Sequence, residues 1–243
     1  MRHPRVHVDH ELAPGMTVTL PAVAANHLVR VLRLQFGDRV TLFNGDGHEY
    51  ETELIAAGKH DVRVRVIDGR EVDTRSSLRL TLAQSLARGD KMDWIVQKAT
   101  ELGVERIVPV ISERTEVRLS GDRAQRRWSH WHGIIVGACE QSGRTRLPGL
   151  EPIQPLERWL SSLRPGVTRI VLSPRGQARL RDLSPDQCNI ILAVGPEGGY
   201  SDADLALFRQ ADFQPLRLGP RTLRTETAGL AALAGLQSLC GDL

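Results

Sequence analysis

The 243-residue sequence predicts an α/β protein, in which a small β-barrel precedes a larger domain built on a parallel sheet. Three observations lead there. Residues 1–72 hold short β-rich runs, among them the alternating VRVRV at Val62–Val66. From Leu78 onward, apolar runs alternate with helical stretches, the pattern of parallel strands joined by crossover helices. Two apolar runs near the C-terminus end in Gly-Pro, at Gly195-Pro196 and Gly219-Pro220, and a helical stretch follows each.

In the barrel, strands are expected at Met16–Leu20, Arg39–Asn44, Glu49–Ile55 and Asp61–Ile67. NGDGHE at Asn44–Glu49 supplies a turn, because Asn and Gly tolerate positive φ. Between the early strands, AANHLVRVLRLQFGD reads as a short helix ending at Gly37. Its Leu28, Val31 and Leu32 share a face from which Arg30 and Arg33 point away. The first residues, with His3, His7 and His10, show no pattern and read as a loose lead-in. DGREVDTRSS at Asp68–Ser77 is polar and rich in turn formers, and reads as the linker. The expected domains are therefore residues 1–72 and 73–243.

In the second domain, LRLTLAQSL from Leu78 is a strand, and DKMDWIVQKATELG is an amphipathic helix with Asp90 near its start and Gly103 as its stop. VERIVPVI is the next strand. A long helix, SGDRAQRRWSHWHGIIVGACEQSG, opens at Ser120 or Asp122 and turns Trp128, Trp131, Ile135, Ala138 and Cys139 toward the core. TRIVLSP, NIILAVGPEGG and FQPLRLGP are short apolar strands, while SDADLALFRQ and TETAGLAALAGLQSLC are helices. Helices are expected on both faces of the sheet.

Composition narrows the function classes. No apolar run reaches the roughly 18 residues of a membrane span, and the N-terminus has no hydrophobic stretch of the signal-peptide kind. Three cysteines (Cys139, Cys188 and Cys240) lie far apart in no metal-ligand spacing, and an odd count argues against a disulfide framework. A cytoplasmic protein without a metal is expected. The 32 basic residues include 29 arginines, and residues 112–181 hold 13 arginines against six acidic residues. Arginine's planar fork suits phosphates and base edges, so this basic middle points to nucleic acid, or else is an ordinary solvated surface.

Ligands of open α/β sheets sit beyond the C-terminal ends of the strands, where both Gly-Pro exits fall. Glycine admits a ligand close to the backbone and proline stiffens the exit. Two such loops make a rigid wall of main-chain groups suited to a flat heteroaromatic ring, unless both are simply tight turns. A triphosphate fits poorly, since there is no GxxxxGK[ST] motif and no lysine after Lys98. GPEGGYS is not GxGxxG, so a dinucleotide is also poorly supported. TLRTETAG crowds polar residues against a helix of small residues (Ala228, Gly229, Ala231, Ala232, Ala234, Gly235), a face built for close approach to another backbone.

GPEGGYS at Gly195–Ser201 followed by LGPRTLRTETA at Leu218–Ala228 resembles the 16S ribosomal RNA uridine-N3 methyltransferase family of the SPOUT, or trefoil-knot, superfamily. GDKMDWIVQKATELGVERIVPV from Gly89, ACEQSGR from Ala138 and NHLVRVLRLQFGD from Asn26 agree, so the resemblance runs in order along nearly the whole chain. It implies an N-terminal PUA-like barrel and a C-terminal domain with a deep trefoil knot, a rare exception to the rule against threaded loops. It further implies S-adenosylmethionine bound within the knot, 16S ribosomal RNA of the small ribosomal subunit as substrate, and a homodimer.

Carried over residue by residue, the resemblance places Gly195, Glu197, Gly198 and Gly199 on the ribose and methionine side of the cofactor. Leu218, Gly219, Arg221, Leu223 and Ala228 then surround the adenine, and Leu172 and Pro174 in LSPRG add apolar contact. Uracil N3 carries a proton at neutral pH, so its methylation needs a base or a cation that stabilises the anion. Arg224 is the candidate cation, unless it pairs with Glu197 or Glu226. Glu226 is the candidate base, unless it is a favourable charge in a first helical turn. Thr225 or Thr227 is the expected helix cap. Arg30, Arg33, Lys91, Arg144 and Arg146 are the candidate RNA contacts, with solvated surface as the competing reading of each.

The runners-up are a SPOUT methyltransferase acting on another RNA, and a non-catalytic RNA-binding ribosome assembly factor. Intact GPEGG and LRTETA motifs speak against a degenerate pocket. A metal-dependent hydrolase built on the eight histidines fails on geometry, since His130 and His132 stand two apart on a helix and face different ways.

Overall fold

The computed structural model describes residues 3–58, 61–117, 119–184 and 189–243. The chain divides into two units, Met1–Arg75 with Cys139–Leu147, and Ser76–Ala138 with Pro148–Leu243. Cys139 is buried and Cys240 half-buried, and Cys188 lies outside the described residues.

The first unit is a five-stranded sheet of β1 (Arg5–His7), β2 (Thr17–Thr19), β3 (Arg39–Phe43), β4 (His48–Ala57) and β5 (Val62–Glu71), in the order β1-β3-β4-β5-β2. Its core gathers the alternate residues of the strands, including Val18, Leu42, Leu54, Val64 and Val66. Two register shifts between β4 and β5 bend the pair around that core.

Three sequence readings change here. The N-terminal segment is no loose lead-in, because β1 pairs in parallel with β3. Arg5 lies over the Phe43 ring and forms a buried ion pair with Glu49, while the His7 amide donates to Glu140 at 3.1 Å. The expected linker starts too early, since Asp68–Glu71 belong to β5 and pair with His48–Glu51, with cross-strand partners supplying what apolar alternation does not. The helix before β3 is α1 (Ala22–Asn26) continued as a π-helical turn at His27–Val31. The wider i→i+5 turn, closed by Leu32 N–H to His27 O at 3.0 Å, changes the phase of the side chains. Leu28 stays buried, but Val31 and Leu32 are 61% and 43% exposed and leave the face assigned to them.

The second unit carries β6 (Arg79–Ser85), α2 (Lys91–Glu101), β7 (Arg106–Ile111), α3 (Gly121–Ser142, whose last turn from Cys139 belongs to the first unit), β8 (Gly149–Leu150), β9 (Gln154–Pro155), α4 (Leu156–Ser161), β10 (Thr168–Leu172), β11 (Asn189–Val194), α5 (Asp202–Gln210), β12 (Gln214–Leu216) and α6 (Thr225–Cys240). All its strand pairs are parallel, in the order β12-β10-β11-β6-β7-β8 with β9 beside β7. The sequence does not announce β8, β9 or α4, since elements of two to six residues show no periodicity. On α3, Trp131, Ile135, Ala138 and Cys139 are buried, whereas Trp128 is half-buried and stacks on His132.

Both faces of the sheet are covered. Ala83, Val108, Val110, Val171, Ile191 and Ala193 meet Leu156, Trp159 and Leu160 of α4 and Phe208 of α5. The opposite face, with Gln84 and Val194, receives α6, whose Gly229 lies against both side chains. Among the described residues, no helix is long and apolar enough to cross a membrane.

The chain path after β10 sets up the site. Residues 173–184 leave β10 and pass over α6, where Leu180 sits directly on Gly235. β12 lies outside β10, and its exit runs against the same loop. Ser173 N–H donates to Leu216 O and Arg217 N–H to Ala178 O, both at 2.9 Å. Gly176 stands at this crossing, where a Cβ would come within 2.7–2.9 Å of Leu216 C, Pro215 O and Arg217 N. The chain then returns from the sheet edge to its middle as α6, which is the path along which the threading implied by the resemblance would run.

Gly176→Ala should therefore lower Tm, because overpacking against backbone costs about 1–3 kcal/mol. Gly137→Ala, on α3 with open space at its Cβ, should match or exceed wild type. Thermal denaturation of the two variants decides; equal Tm values would contradict the crossing.

Candidate functional site

The C-terminal ends of β10, β11 and β12 converge on a cavity of about 690 Å³, inside the roughly 300–1,000 Å³ range of small-molecule sites. Three loops wall it. Leu172, Ser173, Pro174 and Arg175 follow β10; Gly195 to Tyr200 follow β11; Arg217 to Thr225 follow β12 and lead into α6. Local chemistry dictates each exit. The β11 exit closes as a turn in which Gly199 N–H donates to Pro196 O at 2.9 Å, and Gly199 takes φ +66°. The β12 exit turns through Gly219 at φ +68°. Both glycines occupy the left-handed region that other residues disfavour. Ser201 then caps α5 reciprocally with Asp204 and bonds to Glu113.

A buried relay joins the loops beneath the cavity. Thr225 at the start of α6 donates to Gly195 O at 2.6 Å and accepts from Gln84 Nε2 at 3.0 Å. Gln84 Nε2 also donates to Ser85 O at 2.9 Å. One hydroxyl thus fixes the β11 exit to the first turn of α6 and to the end of β6. Thr225 is not the expected cap. Arg224 occupies the cap position without a capping side chain, because the Thr225 hydroxyl is turned toward Gly195.

Every residue assigned to the cofactor lines this cavity: Leu172, Pro174, Gly195, Glu197, Gly198, Gly199, Leu218, Gly219, Arg221, Leu223 and Ala228. Arg224 also lines it, exposed and without an ion pair among the described residues, so neither Glu197 nor Glu226 holds it. Glu226 is half-buried outside the lining, with Oε2 lacking a hydrogen-bond partner among the described residues.

The RNA candidates separate. Arg30 and Arg33 are exposed beside the π-helical turn of the first unit, with Arg33 at φ +58°. Lys91 is on the cavity wall and pairs with Glu197 at 2.7 Å. Burial would raise the Glu197 carboxyl, but Lys91 and the Arg88 amide outweigh it and hold the group below the usual carboxylate range. Arg144 and Arg146 belong to the first unit, with residues 139–147. Arg144 O accepts from Arg5, and the Arg146 guanidinium lies against Gly47 and donates to Gly45 O at 3.3 Å. The backbone of the Asn44–Glu49 turn therefore engages Arg146.

Sequence reasoning missed Gln84, Tyr200 and, on the cationic rim, Arg114 and Arg217. Gln84 was detectable as a polar residue inside an apolar strand. Burial raises the Tyr200 pKa, so its phenol stays neutral and is no base near pH 7. Arg114 donates to Gly198 O at 3.1 Å, and with Arg217, Arg221 and Arg224 it makes the lining positive. The Arg175–Asp202 pair is highly exposed and contributes little. No cluster of His, Cys, Asp and Glu among the described residues could hold a metal.

Comparison with known proteins places this geometry. Residues 74–237 match the RNA methyltransferase domain family, and residues 23–67 match the RNA methyltransferase PUA domain. A ribosomal RNA small subunit methyltransferase E of Buchnera aphidicola subsp. Schizaphis graminum is 30% identical over 243 residues, covering 100% of this chain and 98% of that one. The protein of that name from Neisseria gonorrhoeae, solved bound to S-adenosyl methionine, is 38% identical with a TM-score of 0.92 and full coverage of both chains. A Legionella pneumophila structure in complex with the cofactor SAM is 37% identical, with a TM-score of 0.96 and full coverage of both.

Thr225→Val removes both hydrogen bonds of the relay and leaves a buried amide donor short of a partner, at about 1–3 kcal/mol. Tm should fall by several degrees, at about 2–4 °C per kcal/mol for a domain of this size. Thr225→Ser should recover most of the loss; valine and serine variants of equal Tm would contradict the relay.

Proposed function

The chain belongs to the RNA methyltransferase family that includes the ribosomal RNA small subunit methyltransferase E proteins, and from that premise we propose that it methylates N3 of a uridine in 16S ribosomal RNA with S-adenosylmethionine as donor. The observation that carries the reading is the cavity at three strand exits, lined by all eleven residues assigned to the cofactor. Its size, its main-chain carbonyls and amides, and the arginines Arg217, Arg221 and Arg224, which have no ion pair among the described residues, suit a molecule with a flat base at one end and a carboxylate at the other.

Leu218, Gly219, Leu223 and Ala228 hold the adenine, and the Gly195–Gly199 turn holds the ribose and methionine. Glu197, already bound by Lys91 and the Arg88 amide, keeps that turn anchored to the start of α2. When bound, S-adenosylmethionine would supply a methyl carbon activated by its sulfonium, with the neutral thioether as leaving group. The chain's part is to present uracil N3 in line with that carbon and to exclude other geometries. The N3 proton would leave to solvent first, and the uridine anion so formed would take the methyl group as the donor's carbon–sulfur bond breaks. Arg224 stabilises the uridine anion, since it lines the cavity and a guanidinium suits a delocalised anion. Glu226, outside the lining, is assigned no proton transfer.

The finer readings follow the family. The substrate is the RNA within the small subunit, and the enzyme acts in the cytoplasm as a homodimer. Exposed Leu239 in the last turn of α6 and Leu243 beyond it support an apolar contact with a second copy.

Arg224→Gln tests the chemistry. Methylation of 16S ribosomal RNA, mapped by mass spectrometry, should slow by about 10²–10³-fold in kcat, the usual effect of removing one charge-stabilising donor. Cofactor affinity should stay near wild type. An unchanged kcat would remove Arg224 from the mechanism.

A further inference from the structure

A second, smaller cleft shares the Arg217–Gly219 segment with the cofactor cavity as a common wall. Its volume is about 240 Å³, and its other wall is Arg179, Leu180 and Arg181. Three of its six lining residues are arginines. The backbone beneath them is pinned: Arg217 N–H donates to Ala178 O, Asp182 N–H to Arg179 O and Arg179 N–H to Asp182 Oδ2, each at 2.9 Å. Leu180 is seated on Gly235 of α6. The cleft therefore keeps its shape while its side chains reach outward.

Its charge is not balanced internally. Asp182 is the carboxylate at the cleft; one oxygen takes the Arg179 amide and the other stands 3.9 Å from Arg181 Nε, between exposed groups. Arg179 has no ion pair among the described residues. The Arg217 Nε is buried with no hydrogen-bond partner among them. The volume is below the roughly 300 Å³ at which whole small-molecule sites begin, so the cleft takes an anionic group rather than a complete nucleotide. Arginine forks fit the tetrahedral oxygens of a phosphate. The cofactor has a carboxylate and no phosphate, and it is assigned to the neighbouring cavity.

We propose that the Arg179–Arg181–Arg217 cleft binds a backbone phosphate of the RNA substrate and so sets the register in which the target uridine meets the cofactor cavity. This rests on the reading of the chain as an RNA methyltransferase. Since the two cavities share a wall, a phosphate held here lies beside the cofactor cavity, behind the Leu218–Gly219 segment assigned to the adenine, and the contact positions the strand without reading its sequence.

The test is the salt dependence of binding to a 16S ribosomal RNA transcript, using the full chain. The variants are the double substitution Arg179→Gln/Arg181→Gln and a charge-matched control, Arg158→Gln/Arg164→Gln, on exposed positions of the same unit. Arg217 is left intact because it also lines the cofactor cavity. The first variant should flatten the slope of log affinity against log salt by about 0.7–0.9, the share of the one phosphate no longer neutralised, and raise KM for RNA. The control should stay near wild type. A double variant with the wild-type slope, a control that weakens as much, or a wild type that does not bind the transcript overturns the proposal. Calorimetric titration with S-adenosylmethionine separates the two readings. Wild-type and double-variant chains should bind it equally, and a loss confined to the double variant would make the cleft part of the cofactor wall, against the proposal. A wild type whose RNA slope depends on the pair but which takes up no cofactor supports the cleft and sinks methyl transfer.

Discussion

The crossing at Gly176, where the exit of β12 runs against the loop that leaves β10, is the constraint on which the second unit depends. Three backbone atoms of residues 215–217 lie within 2.7–2.9 Å of where a Cβ would stand, and hydrogen bonds on either side of the glycine lock the two segments together. The crossing brings the third strand exit beside the first. It also delivers the chain to the sheet edge, from which α6 must return under the 173–184 loop. Take away the close approach and the Leu218–Ala228 wall has no fixed distance from Leu172 and Pro174. The cavity is thus a consequence of backbone packing, which explains a wall made so largely of glycine, proline and main-chain polar groups.

The other half of the wall is tied down by polar groups. Thr225 links Gly195 to Gln84, Glu197 links the β11 turn to Lys91 and Arg88, and Arg114 reaches Gly198 O. These contacts join segments far apart in sequence to a turn of five residues. They also dispose of charge selectively, for Lys91 and Glu197 neutralise each other while Arg217, Arg221 and Arg224 remain without an acidic partner among the described residues. A ligand meets a rigid, positively biased site that needs little ordering on binding.

What could be read from sequence was what local chemistry encodes. The Gly-Pro exits, the apolar strands before them and the motif residues around them fall where the chain pattern puts them. Long-range partnership was not legible. Nothing in the neighbourhood of Lys91 announces Glu197, and nothing near Arg146 announces the Gly45–Gly47 backbone, so both looked like free cations. β1 escaped notice because three residues show no period, yet Arg5 is buried against Glu49 and Phe43. The π-helical turn reversed the reading of Val31 and Leu32, because a change from i→i+4 to i→i+5 shifts every later side chain around the axis. Glu226 carried a plausible role by position alone, and the fold turns it out of the lining.

The central claim is that the cavity at the three strand exits is the cofactor site. Calorimetric titration of S-adenosylmethionine into wild type and Ala228→Trp tests it most directly, because Ala228 lines the cavity from the first turns of α6 and an indole there fills the space. One cofactor per wild-type chain, with binding abolished in a variant that keeps its circular dichroism spectrum and cooperative melting, is the predicted result. Undiminished binding by the folded variant would place the cofactor elsewhere and contradict the account.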